Sequence, residues 1–168
     1  MKQKKSLGSQ LFAFLVVALL GSLIYLTVFS DGLGKAPNLK IGETQLNKPL
    51  KPVLINFWAT SCPGCIAEMP HLAKIKNKFG NKFDIIAVAM SYDPSEQVTK
   101  FITKNNYPFI FIKDESGKIA ESFGGVLLTP TSFLIAPNGN IVYQKVGEVD
   151  FNIIEQKIKN MTNYSVSN

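Results

Sequence analysis

The apolar residues of the chain form one long run near the N-terminus and many shorter runs after it. The long run, residues 11–29, contains no charged residue over about 19 positions. As a helix rising about 1.5 Å per residue it would span about 28 Å, close to the hydrocarbon core of a bilayer. Lysines precede the run and Asp31 follows it, and this charge distribution predicts a cytoplasmic N-terminus.

We therefore predict a cytoplasmic basic tail at residues 1–10, a transmembrane signal anchor at 11–29 and a linker at 30–38. The linker contains glycine and proline, which are typical of loops. The domain that follows would lie on the extracytoplasmic (periplasmic) side of a single-pass protein of the inner membrane. A cleaved signal peptide is the alternative, although the apolar region of such peptides is usually about 7–15 residues long.

After the linker, short apolar runs alternate with stretches of helical periodicity. The apolar run Val53–Trp58 predicts a strand that is buried on both faces. Apolar residues recur at spacings of three and four in Pro63–Phe79, which predicts a helix. A second buried strand is expected at Phe83–Met90, followed by a helix from Asp93, as its N-cap, to about Asn105. This alternation predicts parallel strands in the core of a sheet.

The C-terminal half adds antiparallel strands to this plan. Ser132–Ala136 and Ile141–Val146 flank an Asn-Gly dipeptide, which is typical of a hairpin. The fold class expected is therefore α/β, with a central mixed β-sheet flanked by helices, in a domain at 39–162 before a disordered tail at 163–168. Further predicted elements are an edge strand or hairpin within residues 39–51, a strand at Phe109–Ile112, a short helix after Gly117 and an amphipathic helix at Phe151–Met161.

The charge of the chain argues against a nucleic-acid partner. The 168 residues carry a net charge of +6, and every basic side chain apart from the single histidine is a lysine. Proteins that bind nucleic acids usually use arginine for phosphate and base contacts, and no basic stripe with interleaved aromatic residues occurs here. We expect Lys74, Lys76 and Lys78 to form a solvated helix face, and we assign no role to His71.

The chain has two cysteines, Cys62 and Cys65, between the first predicted strand and the helix that follows. Pro63 lies near the first helical position, where a missing N–H costs nothing. Cys62 would face the free N–H groups and the positive end of the helix dipole, which stabilise a thiolate and lower the pKa of a thiol. We predict that Cys62 is the nucleophile and that Cys65, one turn inside, resolves a mixed disulfide by attacking Cys62.

Other interpretations of the cysteine pair remain open. A structural disulfide around a two-residue loop would constrain the unfolded chain very little. A structural zinc site needs four ligands, and the chain offers only one histidine, His71, beside the two cysteines. The cysteines could also be two unrelated buried thiols. A copper site built from the pair with a methionine or His71 is a further alternative, because soft sulfur ligands suit Cu(I).

The stretch Asn56–Pro70 resembles the thioredoxin superfamily, and within it the membrane-anchored disulfide reductases of the TlpA, ResA and CcmG (DsbE) type. The resemblance extends over about Leu39–Met161, and the chain departs from it at Ser61, where tryptophan is common. It departs also in Pro63-Gly64, which reverses the order found in thioredoxin, and in Asn56, where thioredoxin has aspartate. The matching residues are Phe57-Trp58-Ala59, Cys62-Pro63-Gly64-Cys65, Glu68, Pro70 and Thr129-Pro130-Thr131 followed by Ser132-Phe133-Leu134-Ile135.

The resemblance implies a thioredoxin-like fold with a site around the two cysteines. It implies that Pro130 is a cis-proline whose loop faces the CxxC motif, where the backbone of Thr129 would pair with an extended substrate peptide. It places Glu68 near the disulfide and partly buried, so that a raised pKa would let this carboxyl group exchange a proton with Cys65. We place Trp58 beneath the motif and count it with Thr129 and Pro130 among the substrate-binding residues.

These patterns favour a membrane-tethered thiol–disulfide oxidoreductase that acts as a disulfide reductase and needs no cofactor or metal. The resemblance implies protein disulfide substrates, such as the haem-site cysteines of apocytochrome c during cytochrome c maturation, and a transmembrane electron donor of the DsbD or CcdA kind. A thiol oxidase of the DsbA direction is an alternative, because CxxC proteins span reduction potentials from about −270 to −120 mV. A copper-binding chaperone with the same fold is the other alternative.

Overall fold

The computed structural model describes residues 14–22 and 33–164. The chain divides into two compact units, residues 1–32 and 33–168. In the first unit, residues 14–22 are helical. None of the described helices combines the length and the apolar character that crossing a membrane would require. The predicted anchor at 11–29 extends beyond the described helix at both ends and the basic tail lies outside the described residues, so both stay predictions.

The second unit is built on a five-stranded sheet, and a separate two-stranded hairpin precedes it. The hairpin consists of β1 (Lys40–Ile41) and β2 (Thr44–Gln45), and the sheet consists of β3 (Val53–Trp58), β4 (Asp84–Ala89), β5 (Ile110–Lys113), β6 (Thr131–Ile135) and β7 (Ile141–Val146). The order in the sheet is β5-β4-β3-β6-β7, with β3 at the centre. β3 and β5 run parallel to β4, whereas β6 runs antiparallel to β3 and β7. The predicted mixed sheet is confirmed.

Four α-helices of residues 33–164 pack around the sheet, and the first three of them connect its strands. They are α1 (Pro63–Phe79), α2 (Ser95–Asn105), α3 (Lys118–Ser122) and α4 (Phe151–Tyr164). α1 joins β3 to β4 and α2 joins β4 to β5, because parallel neighbours need a crossover connection. α4 continues to Tyr164, so the predicted disordered tail loses its first two residues to the helix, and the remaining four lie outside the described residues.

The side chains of β3 alternate between two layers of the core. Ile55 and Phe57 belong to a cluster that includes residues of the N-terminal hairpin and of α3. Leu54 and Trp58 point the other way, into clusters that include buried residues of α1. Every residue of β3 is buried. The strand that leads into the cysteine motif is therefore held from both faces, as its apolar pattern predicted.

The beginning of α2 differs from the prediction. We expected Asp93 to be the N-cap, but the helix begins at Ser95 and its cap residue is Pro94, without a side-chain hydrogen bond. The carboxylate of Asp93 instead accepts hydrogen bonds from the N–H and the hydroxyl group of Thr60. Asp93 is only 2 % exposed, so its carboxylate needs hydrogen-bond donors, and Thr60 supplies two of them.

The lysines of α1 do not form a uniform solvated face. Lys74 and Lys78 are exposed, as predicted, but the side chain of Lys76 is only 15 % exposed. Its Nζ donates to the carbonyl oxygen of Gly80 at 2.6 Å and lies 3.4 Å from Oδ1 of Asp84. Lys76 therefore ties the end of α1 to the start of β4, and the prediction of a solvated face was wrong for this residue.

Candidate active site

Cys62 and Cys65 form a disulfide across the first turn of α1. Cys62 is the N-cap of the helix, Pro63 follows at its first position, and Sγ of Cys62 accepts a hydrogen bond from the N–H of Cys65 at 3.2 Å. Cys62 is half-buried, whereas Cys65 is completely buried. A substrate can therefore reach the outer sulfur but not the inner one.

The surroundings of Cys62 favour a negative charge on its sulfur in the reduced state. The first turn of α1 contains no acidic residue. The free N–H groups and the dipole of a helix N-terminus stabilise anions next to them. The N–H of Cys65 already points at Sγ of Cys62, so the thiolate would gain this hydrogen bond without a rearrangement of the turn.

The loop before β6 lies opposite the motif. The peptide bond between Thr129 and Pro130 is cis, and a Cβ atom built on Gly64 would lie 3.9 Å from Cδ of Pro130. The carbonyl oxygen of Pro130 accepts a hydrogen bond from Gly147, whereas the backbone N–H and C=O of Thr129 have no partner within residues 33–164. These two groups are available to a peptide strand that approaches the disulfide.

An apolar groove of about 410 Å³ adjoins this loop. Leu127 and Leu128 line it and are 82 % and 66 % exposed. The sequence analysis did not identify this groove; the run of apolar residues before Thr129 is the only pattern that could have indicated it. From the loop before Thr131 the groove extends over β6 and β7, with lining residues that include Phe123, Phe133, Gln144 and Val146.

Glu68 lies on α1 three residues after Cys65, and it is completely buried rather than partly buried as the sequence suggested. Its Oε1 accepts a hydrogen bond from the side-chain amide of Asn56 at 2.8 Å, and its Oε2 accepts one from the N–H of Val149 at 3.3 Å. Burial raises the pKa of Glu68 above its ordinary value; the two hydrogen bonds oppose this rise, and the nearby charge of Glu148 adds to it.

The sequence analysis missed the partners of Glu68. Asn56 uses both protons of its amide, one for Glu68 and the other for Oγ of Ser132 at 2.9 Å. Asn56 and Ser132 are paired in neighbouring strands and are buried. The sequence gives one indication of this network, because Asn56 and Ser132 are polar residues inside otherwise apolar strands. Nothing in the sequence shows that the two positions are paired across the sheet.

Trp58 is also buried beneath the motif, with 0 % exposure. Its ring packs against Phe101 and Phe111, with centroid distances of 4.9 and 5.8 Å, in a cluster that includes Cys65 and Met69. Its Nε1 has no hydrogen-bond partner within the described part of the chain. The predicted position beneath the motif agrees with this packing, but direct contact with a substrate does not, because the indole has no exposed surface.

His71 does not join the two cysteines in a metal-ligand cluster within the described residues. Among the side chains of residues 14–22 and 33–162, no group of three or more His, Cys, Asp or Glu is placed to hold a metal ion. His71 is exposed on α1, with its ring 5.0 Å from that of Phe151.

An outer sulfur that solvent reaches and an inner sulfur that it does not reach permit two successive thiol–disulfide exchanges. This capacity, on a central sheet with a cis-proline loop opposite the cysteines, defines the class: the protein is a thiol–disulfide oxidoreductase with a thioredoxin-like fold. A family model described as Redoxin matches residues 35–161, and the chain belongs to this family.

Individual relatives agree with this class. The thiol-disulfide oxidoreductase ResA of Bacillus cereus is 26 % identical over 168 residues, which cover 90 % of this chain and 96 % of that protein. The thiol:disulfide interchange protein DsbE of Pasteurella multocida is 32 % identical over 111 residues, 65 % of this chain and 58 % of that protein. The solution structure of a candidate thioredoxin from Neisseria meningitidis is 37 % identical, with a TM-score of 0.63, and the match covers 71 % of this chain and 79 % of that one.

Proposed function

We propose that the protein reduces disulfides in other proteins on the extracytoplasmic side of a membrane, to which its N-terminal segment tethers it. The observation that supports this dithiol chemistry best is the completely buried Glu68 on the helix that carries both cysteines. The reductive direction itself rests on the resemblance to reductases of the ResA and DsbE type. Resolution of a mixed disulfide needs a base that removes the proton of the inner thiol, and a carboxylate with a raised pKa is suited to accept it.

The reaction begins with the thiolate of Cys62. It attacks one sulfur of the substrate disulfide, a bond forms between Sγ of Cys62 and that sulfur, and the other substrate sulfur leaves as a thiolate. An extended segment of the substrate would pair with the backbone of Thr129 and lie along the apolar groove that begins at Leu128. In this arrangement the substrate disulfide would lie over the outer sulfur.

The second step releases the substrate. Glu68 accepts the proton of the Cys65 thiol, and the resulting thiolate attacks Sγ of Cys62. The Cys62–Cys65 disulfide forms, and the second substrate sulfur leaves as a thiolate that takes up a proton. Two electrons have then passed from the protein dithiol to the substrate disulfide. Glu68 returns its proton to Cys65 when a dithiol donor reduces the protein again.

The donor and the substrate follow from the location that we propose. A reductase on the oxidising side of the membrane needs a source of electrons that crosses the membrane, and an electron donor of the DsbD or CcdA type would supply it. Apocytochrome c, whose haem-site cysteines must be reduced before haem attachment, is the substrate that we propose. The names ResA and DsbE of the relatives support a protein disulfide as substrate.

The reduction potential of the full chain, purified in detergent, tests the direction of the reaction. Trp58 packs in the same cluster as Cys65, so its fluorescence should report the state of the cysteines during equilibration with glutathione or dithiothreitol buffers. A potential near or below about −230 mV would support a reductase, whereas a value near about −120 mV would make the protein an oxidase and overturn the proposal. Mass spectrometry of alkylated thiols provides an independent count of the reduced molecules.

Membrane attachment is tested separately. In cells that express the full chain, we expect the protein to remain in the membrane pellet after alkaline carbonate extraction. A matched variant without residues 11–29, fused to a cleavable secretory signal, should appear in the soluble fraction. Recovery of the intact chain in the soluble extract would contradict the proposed tether.

A further inference from the structure

A second buried carboxylate, that of Asp93, lies beside the motif and takes no part in the proton transfer described above. It is in the loop after β4, and this loop is attached to the end of β3 by a hydrogen bond from the N–H of Met90 to the carbonyl oxygen of Trp58 at 3.0 Å. Its Oδ2 accepts the N–H of Thr60 at 2.6 Å, and its Oδ1 accepts the hydroxyl proton of Thr60 at 2.5 Å.

The two hydrogen bonds hold Thr60 at two points. Oε1 of Gln97 lies 3.2 Å from Oγ1 of Thr60, but the hydroxyl group has one proton and Asp93 is the closer and charged acceptor. Breaking either bond would leave a carboxylate oxygen that is shielded from water without a donor. The backbone and the side chain of Thr60 are therefore both constrained by Asp93.

Thr60 belongs to the turn that connects β3 to Cys62, the N-cap of α1. The N–H of Cys62 donates to the carbonyl oxygen of Ala59 at 3.1 Å, so Thr60 lies inside a tight turn that ends at Cys62. Cys62 in turn is the N-cap whose sulfur receives the N–H of Cys65 at 3.2 Å. The position of this sulfur relative to the helix terminus depends on the conformation of the turn.

We propose that Asp93 and Thr60 are positioning residues that hold the sulfur of Cys62 against the N-terminus of α1 and thereby set its reactivity as a thiolate. Without the Thr60 hydroxyl group the turn is looser, and Cys62 loses part of the stabilisation that the helix terminus gives its thiolate. The charge of Asp93 is then also less well neutralised, and it repels a thiolate nearby. Both effects reduce the fraction of Cys62 that is present as a thiolate.

The variant Thr60→Val tests this inference, because it removes the hydroxyl group and keeps the shape of the side chain, the backbone N–H and the charge of Asp93. In a Cys65→Ser background of the full chain, Cys62 is the only thiol. We expect its alkylation by iodoacetamide at pH 7 to be roughly three to ten times slower in Thr60→Val. Thr60→Ser keeps both hydrogen bonds and should react at the original rate. With both cysteines present, the glutathione equilibrium of Thr60→Val should shift by a similar factor toward the disulfide.

The matched control is Thr162→Val, which removes a buried hydroxyl group that donates within α4 to the carbonyl oxygen of Ile158 at 2.9 Å. It should leave the alkylation rate unchanged, even if it lowers the melting temperature. Original reactivity of Thr60→Val, or equal slowing in the control or in Thr60→Ser, would overturn the inference. The inference rests on the dithiol chemistry of the proposed function but not on its direction. An oxidising potential of the original protein would overturn the reductase and leave the comparison of rates intact.

Discussion

On one face of β3, the ring of Phe57 packs against those of Phe123 and Phe133, with centroids 5.5 and 6.0 Å apart. On the other face, the amide of Asn56 lies between the carboxyl group of Glu68 and the hydroxyl group of Ser132. The two positions are adjacent in the chain and almost equally buried, at 0 % and 1 %. Equal burial therefore accompanies aromatic packing on one face of the strand and a network of side-chain hydrogen bonds on the other.

The two faces differ in how burial changes the free energy of folding. Burial of aromatic rings stabilises the fold by removing apolar surface from water and by edge-to-face contacts. Burial of an amide and a carboxyl group costs free energy, which hydrogen bonds offset only in part. Glu68 retains part of this cost, because its pKa stays raised despite the bonds from Asn56 and Val149. The apolar face holds the strand in place, and the polar face holds the carboxyl group of Glu68, for which we propose the role of proton acceptor.

The largest effect should come from the apolar face. Phe57→Ala leaves a cavity between two aromatic rings, and we expect it to lower the free energy of unfolding by about 3–5 kcal/mol. Chemical denaturation of the oxidised protein measures this loss. The reduction potential of the molecules that remain folded should not change, since the polar face is intact. If Phe57→Ala unfolds the protein, Phe57→Leu should show a smaller loss with the same unchanged potential; a shifted potential would contradict the separation of the two faces.

The next largest effect should come from the carboxyl group on the polar face. Glu68→Gln keeps the size of the side chain but accepts no proton, and we expect the release of reduced substrate from the mixed disulfide to slow about 100-fold. Rapid-quench measurements with a disulfide peptide separate this step from the initial attack by Cys62, which should keep its rate. Glu96→Gln, on the exposed surface of α2, is the matched control. If both steps kept their rates in Glu68→Gln, this carboxyl group would not be the proton acceptor.

A smaller effect is expected at Ser132. Ser132→Ala removes the acceptor of one amide proton of Asn56 and leaves that proton buried without a partner, which should cost about 1–3 kcal/mol of stability. Ser122→Ala removes an exposed hydroxyl group that bonds within α3, and it should change stability by less than about 0.5 kcal/mol. Urea unfolding of both variants provides the comparison. Equal losses of stability in the two variants would indicate that the buried hydrogen bond to Asn56 contributes no more than the exposed one in α3.

The smallest expected effect is a change of stability with pH. The pKa of Glu68 is higher in the folded protein than its ordinary value of 4.5, so the folded state binds this proton more tightly than the unfolded chain does. The contribution is complete below the ordinary pKa and is lost as the pH rises through the folded pKa. The original protein should therefore lose stability relative to Glu68→Gln as the pH rises above about 4.5.

Urea unfolding of the oxidised protein and of Glu68→Gln across this pH range measures the difference directly. The carboxyl groups that do not interact with Glu68 titrate alike in both proteins, so their contributions cancel in the comparison. Parallel curves for the two proteins would show that burial does not raise the pKa of Glu68 in solution.

Local patterns predicted most of the elements around the site. The apolar run of β3, the helical spacing of α1 and the Asn-Gly turn before β7 are features of neighbouring residues, and they depend little on the rest of the molecule. The cysteine spacing with Pro63 placed Cys62 at a helix N-terminus, and the resemblance to thioredoxin-like reductases predicted the cis bond at Pro130, which the structure contains. Short-range geometry determines the strand, the helix and the turn, whereas the cis bond was expected only from the resemblance.

The exceptions involve partners that lie in other parts of the fold, and two of the three partners are distant in the chain. The residues that follow Asp93 in the chain favour it as an N-cap, but its carboxylate accepts hydrogen bonds from Thr60, which is 33 positions earlier. The periodicity of α1 places Lys76 on the helix surface, but Asp84 at the start of β4 lies beside it. Asn56 and Ser132 are 76 positions apart and meet only because β3 and β6 are neighbours in the sheet.

The sequence by itself determined the order of strands and helices, the position of the two cysteines at the start of α1 and the class of chemistry that they support. Only the tertiary structure decided that Cys62 is accessible while Cys65 is not, that Glu68 is completely buried, and that Asn56 and Val149 are its hydrogen-bond partners. The physical reason is that burial and the hydrogen bonds of buried groups depend on which elements pack together. The sequence pattern of one element defines the face that it buries, but not the residue that meets it there.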